Sequence, residues 1–153
     1  NGIQAIDLIG RKLRRDGGEA MRALIADLRD CTALVKDVSG KDGVDLSVCV
    51  AAMDRGLETL ATATDIVLNA KETDALSVAT PYLELCAKVI GGALLSRTVA
   101  RGLMAGDEQS ASMASLARYH ALRITPAADS LLDAIRAGAD AVYDFPRDQL
   151  ADL

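Results

Sequence analysis

Only one histidine, His120, occurs in the sequence, and it is the natural first candidate for chemistry. Imidazole changes charge near neutral pH, so a lone His can act as a base, as the partner of a nucleophile or as a metal ligand. Each role needs company that the sequence does not supply. A Ser-His-Asp arrangement wants a nucleophile elbow of the form Gly-X-Ser-X-Gly, and none occurs. A dinuclear metal site in a helical bundle uses Glu-X-X-His pairs on facing helices, whereas the residue three before His120 is Ala117. Haem attachment needs Cys-X-X-Cys-His, but Cys31, Cys49 and Cys86 stand far apart. No Gly-rich phosphate loop is present. The pattern predicts no catalytic residue and no metal ligand in this chain.

His120 falls on one helical stripe with Met113, Leu116, Ala117, Ile124, Ala127, Leu131 and Ile135, which predicts a core or interface histidine. A sharper alternative exists. His120-Ala121-Leu122-Arg123 resembles the His-X-Leu-Lys-Gly context of histidine phosphotransfer domains, with Arg123 in the place of the Lys. Ile124 replaces the Gly, and Pro126 follows where such domains continue as helix. That resemblance implies a stand-alone signalling module using His120.

The elements that would position these residues are helices. Met21, Leu24, Ile25, Leu28, Cys31 and Val35 recur at three-four spacing between about Glu19 and Lys36, the mark of one buried helix face. A loop is expected at Ser39-Gly40-Lys41-Asp42-Gly43. A second stripe, Leu46 to Leu68, predicts a helix from about Asp45 to Ala70, and Lys71-Glu72-Thr73-Asp74 reads as a turn. A third runs from Leu76 or Thr80 to Met104, with Thr80-Pro81 suited to a helix start. Gly91-Gly92-Ala93 in its middle predicts close approach by a neighbouring backbone. The fourth begins near Asp107, and Pro126 predicts a kink in one bent helix rather than two helices. Asp16-Gly17-Gly18 separates the first from a short opening helix, and Phe145-Pro146 closes the regular structure. The expected fold is all-α: an antiparallel up-down-up-down four-helix bundle over residues 17–145, preceded by a short helical N-terminal arm over residues 1–16 and followed by a tail over residues 146–153.

Composition narrows the partners. The chain has 153 residues, half of them apolar, no Trp, one Phe and three Tyr, a balance that favours Ala- and Leu-rich helices over sheets. A net charge of −5 with scattered basic residues argues against a nucleic-acid surface. The basic run Arg11-Lys12-Leu13-Arg14-Arg15 reads as a solvated helix end. Three cysteines cannot all pair, so small buried thiols in a reducing compartment are expected. No apolar run reaches the ~20 residues of a bilayer span. A soluble, cytoplasmic protein without membrane contact is expected.

The opening residues carry a resemblance to a known family. Gly2-Ile3-Gln4-Ala5-Ile6-Asp7-Leu8-Ile9-Gly10-Arg11-Lys12 is similar to the run that follows the catalytic Glu-Gly-Thr in acyl-CoA dehydrogenases with an extended C-terminus. Gly17-Gly18-Glu19-Ala20-Met21-Arg22-Ala23-Leu24, then Pro81-Tyr82-Leu83-Glu84-Leu85 with Gly91-Gly92, then Ala117-Arg118-Tyr119-His120 with Pro126-Ala127, resemble later segments of that branch in the same order. The chain also opens without Met, as a piece of a longer polypeptide would.

The resemblance implies a helical C-terminal domain of an FAD-dependent acyl-CoA dehydrogenase of fatty acid metabolism. In that family a Glu carboxylate removes the α-proton of the thioester while the β-hydride passes to the flavin; base and flavin fold both lie upstream of this chain. Asn1, Gly2 and Gln4 would lie near the FAD of the intact parent, with no cofactor held by the isolated piece. The implied partners are the rest of the dehydrogenase chain and further copies of it. The Gly91-Gly92 surface and the Arg11–Arg15 run are the candidate docking surfaces.

Overall fold

A computed structural model describes residues 2–140. Among these residues the regular structure is entirely helical, with no strand. The tail expected over 146–153, the Phe145-Pro146 stop and Asn1 lie outside the described residues.

Helix α1 (Gly2–Asp7) passes into a π-helical turn over Leu8–Leu13. The long helices follow: α2 (Glu19–Val38), α3 (Ser47–Asn69), the short α4 (Glu72–Ser77), α5 (Ala79–Ala105), α6 (Ser110–Arg123) and α7 (Ala127–Ala137). At the start of α2, the Asp16 carboxylate accepts from the amides of Gly18 and Ala20, at 3.0 and 3.2 Å. These amides belong to the helix start and have no partner within the helix. Gly18 adopts a left-handed φ of 83° with the Leu68 side chain lying against it, so conformation and space both ask for glycine there.

Cross-helix contacts give the directions. Arg22 meets Asp65 at 2.9 Å and Arg29 meets Glu58 at 2.7 Å, so α2 and α3 run antiparallel. Thr64 meets Tyr82 at 2.9 Å while Gly56 faces Val89, so α3 and α5 do likewise. Gly102 abuts Ser110 and Gly92 abuts His120, which makes α5 and α6 antiparallel. Arg97 with Asp27, and Lys41 Nζ donating to the Leu103 carbonyl, set α5 parallel to α2. Helices α3 and α5 form the centre, and each packs on α2 to one side and on α6 and α7 to the other.

The core is made of the expected stripes. Leu28, Val35, Leu57, Leu60, Val67, Tyr82 and Leu85 are fully buried, and all three cysteines are free and buried. Ala5, Ile9 and Leu13 belong to the same cluster, so the arm is packed into the domain's own core.

Three elements differ from expectation. Lys71–Asp74 is not a turn: Glu72 and Asp74 occupy the first turn of α4, where acids favour the helix dipole, and Ala75 is buried. Thr80 does not cap α5. That helix starts at Ala79, and Pro81 sits in its first turn, where no partner for its missing N–H is needed. The fourth segment is two helices rather than one bent one. Pro126 cannot donate to the ladder, so α6 stops at Arg123 and Pro126 opens α7. At the break the amides of Ile124 and Thr125 both donate to the His120 carbonyl, at 2.9 and 3.0 Å.

Candidate functional site

The N-terminal arm is the first place the sequence singles out. Gly2 and Gln4 are both exposed, on the first turn of α1, and Gly2 has open space around it. Neither lies in a pocket with His120, so the structure does not gather the candidate residues into one site. Further along, the basic run is not a uniform solvated end. Arg11 donates to both Asp7 oxygens at 2.6 and 3.0 Å, and Lys12 also reaches that carboxylate. The Arg11 hydrogen bond is the first cause that holds the Asp7 carboxyl below its ordinary range. Arg14 turns inward. Its guanidinium donates to the carbonyls of Val67 and Ala70, at 3.1 and 2.9 Å, closing the C-terminal end of α3, while its Nε is buried without a partner. The arm is thereby clamped to the helices.

His120 stands at the end of α6, half-buried, with Nδ1 3.2 Å from Thr125 Oγ1. Its ring covers Gly92 on α5. The expected close backbone approach at Gly91-Gly92-Ala93 is therefore a side-chain approach, by His120 and Thr125. Burial is the main cause that pushes the imidazole below its ordinary pKa, and the charge of Lys88 adds to it. Ser96, Cys49, Met53, Gly92 and Thr125 border a void of only about 10 Å³, too small for any ligand larger than water.

The third feature is one the sequence reading missed. Helix α6 turns Ser110, Ala114, Ala117 and Ala121 inward. Met113 and Leu116, expected on the buried face, are instead 38% and 52% exposed, and Tyr119 and Leu122 stand out at 58% and 57%. At Gly102 helix α5 has no side chain and Ser110 of α6 sits directly against it, while over Gly92 the space is filled by the His120 ring and Thr125. Beside this ridge, the exposed residues of α5 from Ala87 to Thr98 are Ala87, Gly91, Leu94 and Thr98, none of them charged. Helix α2 is different, with Asp27, Arg29, Asp30, Lys36 and Asp37 on its outer side. The signal in the sequence was Ala114 and Ala121, small residues that share a face with Ala117, the one member of the expected stripe within α6 that is fully buried.

Residues 18–146 match the family described as Acetyl-CoA dehydrogenase C-terminal like. That span covers most of the sequence. The chain belongs to this family. The match begins after the arm, so residues 2–13, where the resemblance opened, lie ahead of it. No curated protein and no solved structure matches the chain. Among the described residues of this acyl-CoA dehydrogenase C-terminal-like domain, no helix is long and apolar enough to cross a membrane. No group of three or more His, Cys, Asp or Glu side chains is placed to hold a metal among them.

Proposed function

We propose that this domain is an accessory part of an FAD-dependent acyl-CoA dehydrogenase chain, acting in the cytoplasm. It supports the flavin and acyl-CoA site or the subunit interface and performs no chemistry of its own. The family match over residues 18–146 carries the reading. The clamp of Arg14 on the end of α3, together with Ala5, Ile9 and Leu13 in the core, supports it mechanically. A domain whose first helix is packed into its own core transmits position to whatever chain precedes Gly2. In this reading α2, α3, α5 and the broken rod α6–α7 form an up-down-up-down bundle. Gly2 and Gln4, at the free end of the arm, come near the flavin of the whole enzyme, together with Asn1. FAD is held by the rest of that enzyme, not by this domain. No observation favours the phosphotransfer reading of His120, whose ring is engaged with Thr125 and Gly92.

The coding sequence upstream of Asn1 tests this directly. A flavoprotein body ending in Glu-Gly-Thr is expected, and a start codon immediately before Asn1 would overturn it. Deleting residues 18–140 from the longer protein is expected to lower FAD retention or change its oligomeric state. Unchanged retention, turnover and mass would count against the supporting role.

A further inference from the structure

The geometry points to the outer α5–α6 face as a self-association surface, on which a second copy of this chain seats with two-fold symmetry. This deepens the subunit-interface half of the proposed function and rests on it only for its biological setting. By helical periodicity, Leu116, Tyr119 and Leu122 form an outward ridge along α6. Alongside it runs a shallow furrow of Ala87, Gly91 and Thr98 on α5. Ridge and furrow are antiparallel neighbours on one face. A two-fold axis lying in that face along the helices brings each copy's ridge over the other copy's furrow, and does so twice. Such a seam needs a surface compatible with its own image, and here the charges stand aside. Arg118 is turned toward α3, where it donates to the Asp45 carbonyl. Lys88 is paired with Glu84 and Arg97 with Asp27.

Charge remains at both ends of the face: Arg123 on α6 and Glu84 on α5 at one end, and at the other, again of opposite sign, Glu108 just ahead of α6 and Arg101 near the end of α5. Because Gly102 abuts Ser110 within one copy, the two lie at nearly the same height, and the two-fold brings Glu108 of one copy toward Arg101 of the other. At their observed exposures, Leu94, Met113, Leu116, Tyr119 and Leu122 present on the order of 500 Å² of apolar surface. With the small residues between them this approaches the ~800 Å² per partner of an ordinary stable interface.

The test is the mass of the 153-residue chain in solution by sedimentation velocity across a dilution series, with helicity followed by circular dichroism. A concentration-dependent dimer is expected. Leu116→Lys and Tyr119→Lys are surface changes that keep the fold, and each is expected to raise the dimer dissociation constant about 10- to 100-fold. Ala33→Lys, on the exposed side of α2, should leave the constant unchanged. A monomer at every concentration would overturn the inference, even if the face then captured the preceding flavoprotein body; the proposed function would survive that result. A dimer insensitive to both ridge substitutions would overturn it equally. If the upstream coding sequence shows no dehydrogenase while the ridge-dependent dimer persists, the proposed function fails and this inference stands.

Discussion

The imidazole of His120 occupies the space that a side chain at position 92 would need: a methyl group on Gly92 would stand 2.7 Å from Nδ1 and 2.9 Å from Cε1. Gly91, one residue earlier, has the same ring no nearer than 3.9 Å. Helix propensity alone would make either Gly→Ala change stabilising by ~1 kcal/mol. At position 92 the clash opposes that gain, because the ring is held by Thr125 and cannot swing away freely. Gly92→Ala is expected to destabilise by about 1–3 kcal/mol, and Gly91→Ala to be neutral or stabilising, both read from urea unfolding. Equal effects of the two would show that His120 does not hold its place.

Acid should loosen the same corner. Burial first, and Lys88 second, lower the His120 pKa in the folded state. Lys88 faces the ring from α5 and is itself paired with Glu84. The unfolded chain, at about 6.5, therefore binds the proton more readily than the folded one. Stability from this group is full above about pH 6.5 and is lost as pH falls through the interval down to the depressed folded value. Urea midpoints between about pH 5 and 8 should show that slope, and His120→Gln should flatten it. An NMR titration placing His120 above its ordinary value would contradict this account.

Arg14 holds the arm. Arg14→Ala leaves the Val67 and Ala70 carbonyls without their donor, which should cost about 1–3 kcal/mol if they stay shielded from water. The buried, unpartnered Nε works the other way and keeps the loss toward the lower end. Amide exchange should locate the damage, with protection falling first at Ala5, Ile9 and Leu13. Uniform loss across all helices would mean that arm and bundle unfold as one unit.

Thr64 and Tyr82 form a buried pair with an internal asymmetry. Thr64 Oγ1 lies 2.7 Å from the Leu60 carbonyl and 2.9 Å from the Tyr82 hydroxyl. The threonine proton goes to the carbonyl, so the tyrosine donates to the threonine. Tyr82→Phe removes one bond and leaves Thr64 satisfied, at about 0.5–1.5 kcal/mol. Thr64→Val leaves the fully buried Tyr82 hydroxyl with only the weakly bonding Cys86 thiol for company, and should cost more, about 1–3 kcal/mol. Chemical denaturation of the two single variants and the double variant would check the order; the double should cost less than the sum.

Much of this domain was legible because its signals are local. The stripes through Ile25, Leu28 and Val35 and through Leu57, Leu60 and Val67 repeat within single helices, and burial followed them. The charge of Glu72 and Asp74 suggests a loop; only Ala75, packed into the core, makes that stretch worth folding as helix. Pro126 announced a disturbance in the sequence. Whether it bent one helix or divided two depended on Thr125 turning inward to reach the His120 ring and carbonyl.

The least legible element is α6, which carries two stripes that could each face inward. By itself the sequence determined that the chain is helical and where most helices run, since hydrophobic period and helix-stop residues act within a few turns. It also carried the family, through segments spread along its length. Tertiary structure alone decided that Ala114 and Ala121 join Ala117 in the core while Leu116 faces out. That choice depends on α5, another helix, where Gly102 leaves room for Ser110 and Gly92 leaves room for the His120 ring. Packing distance is a property of two surfaces, and no pattern within one of them records it.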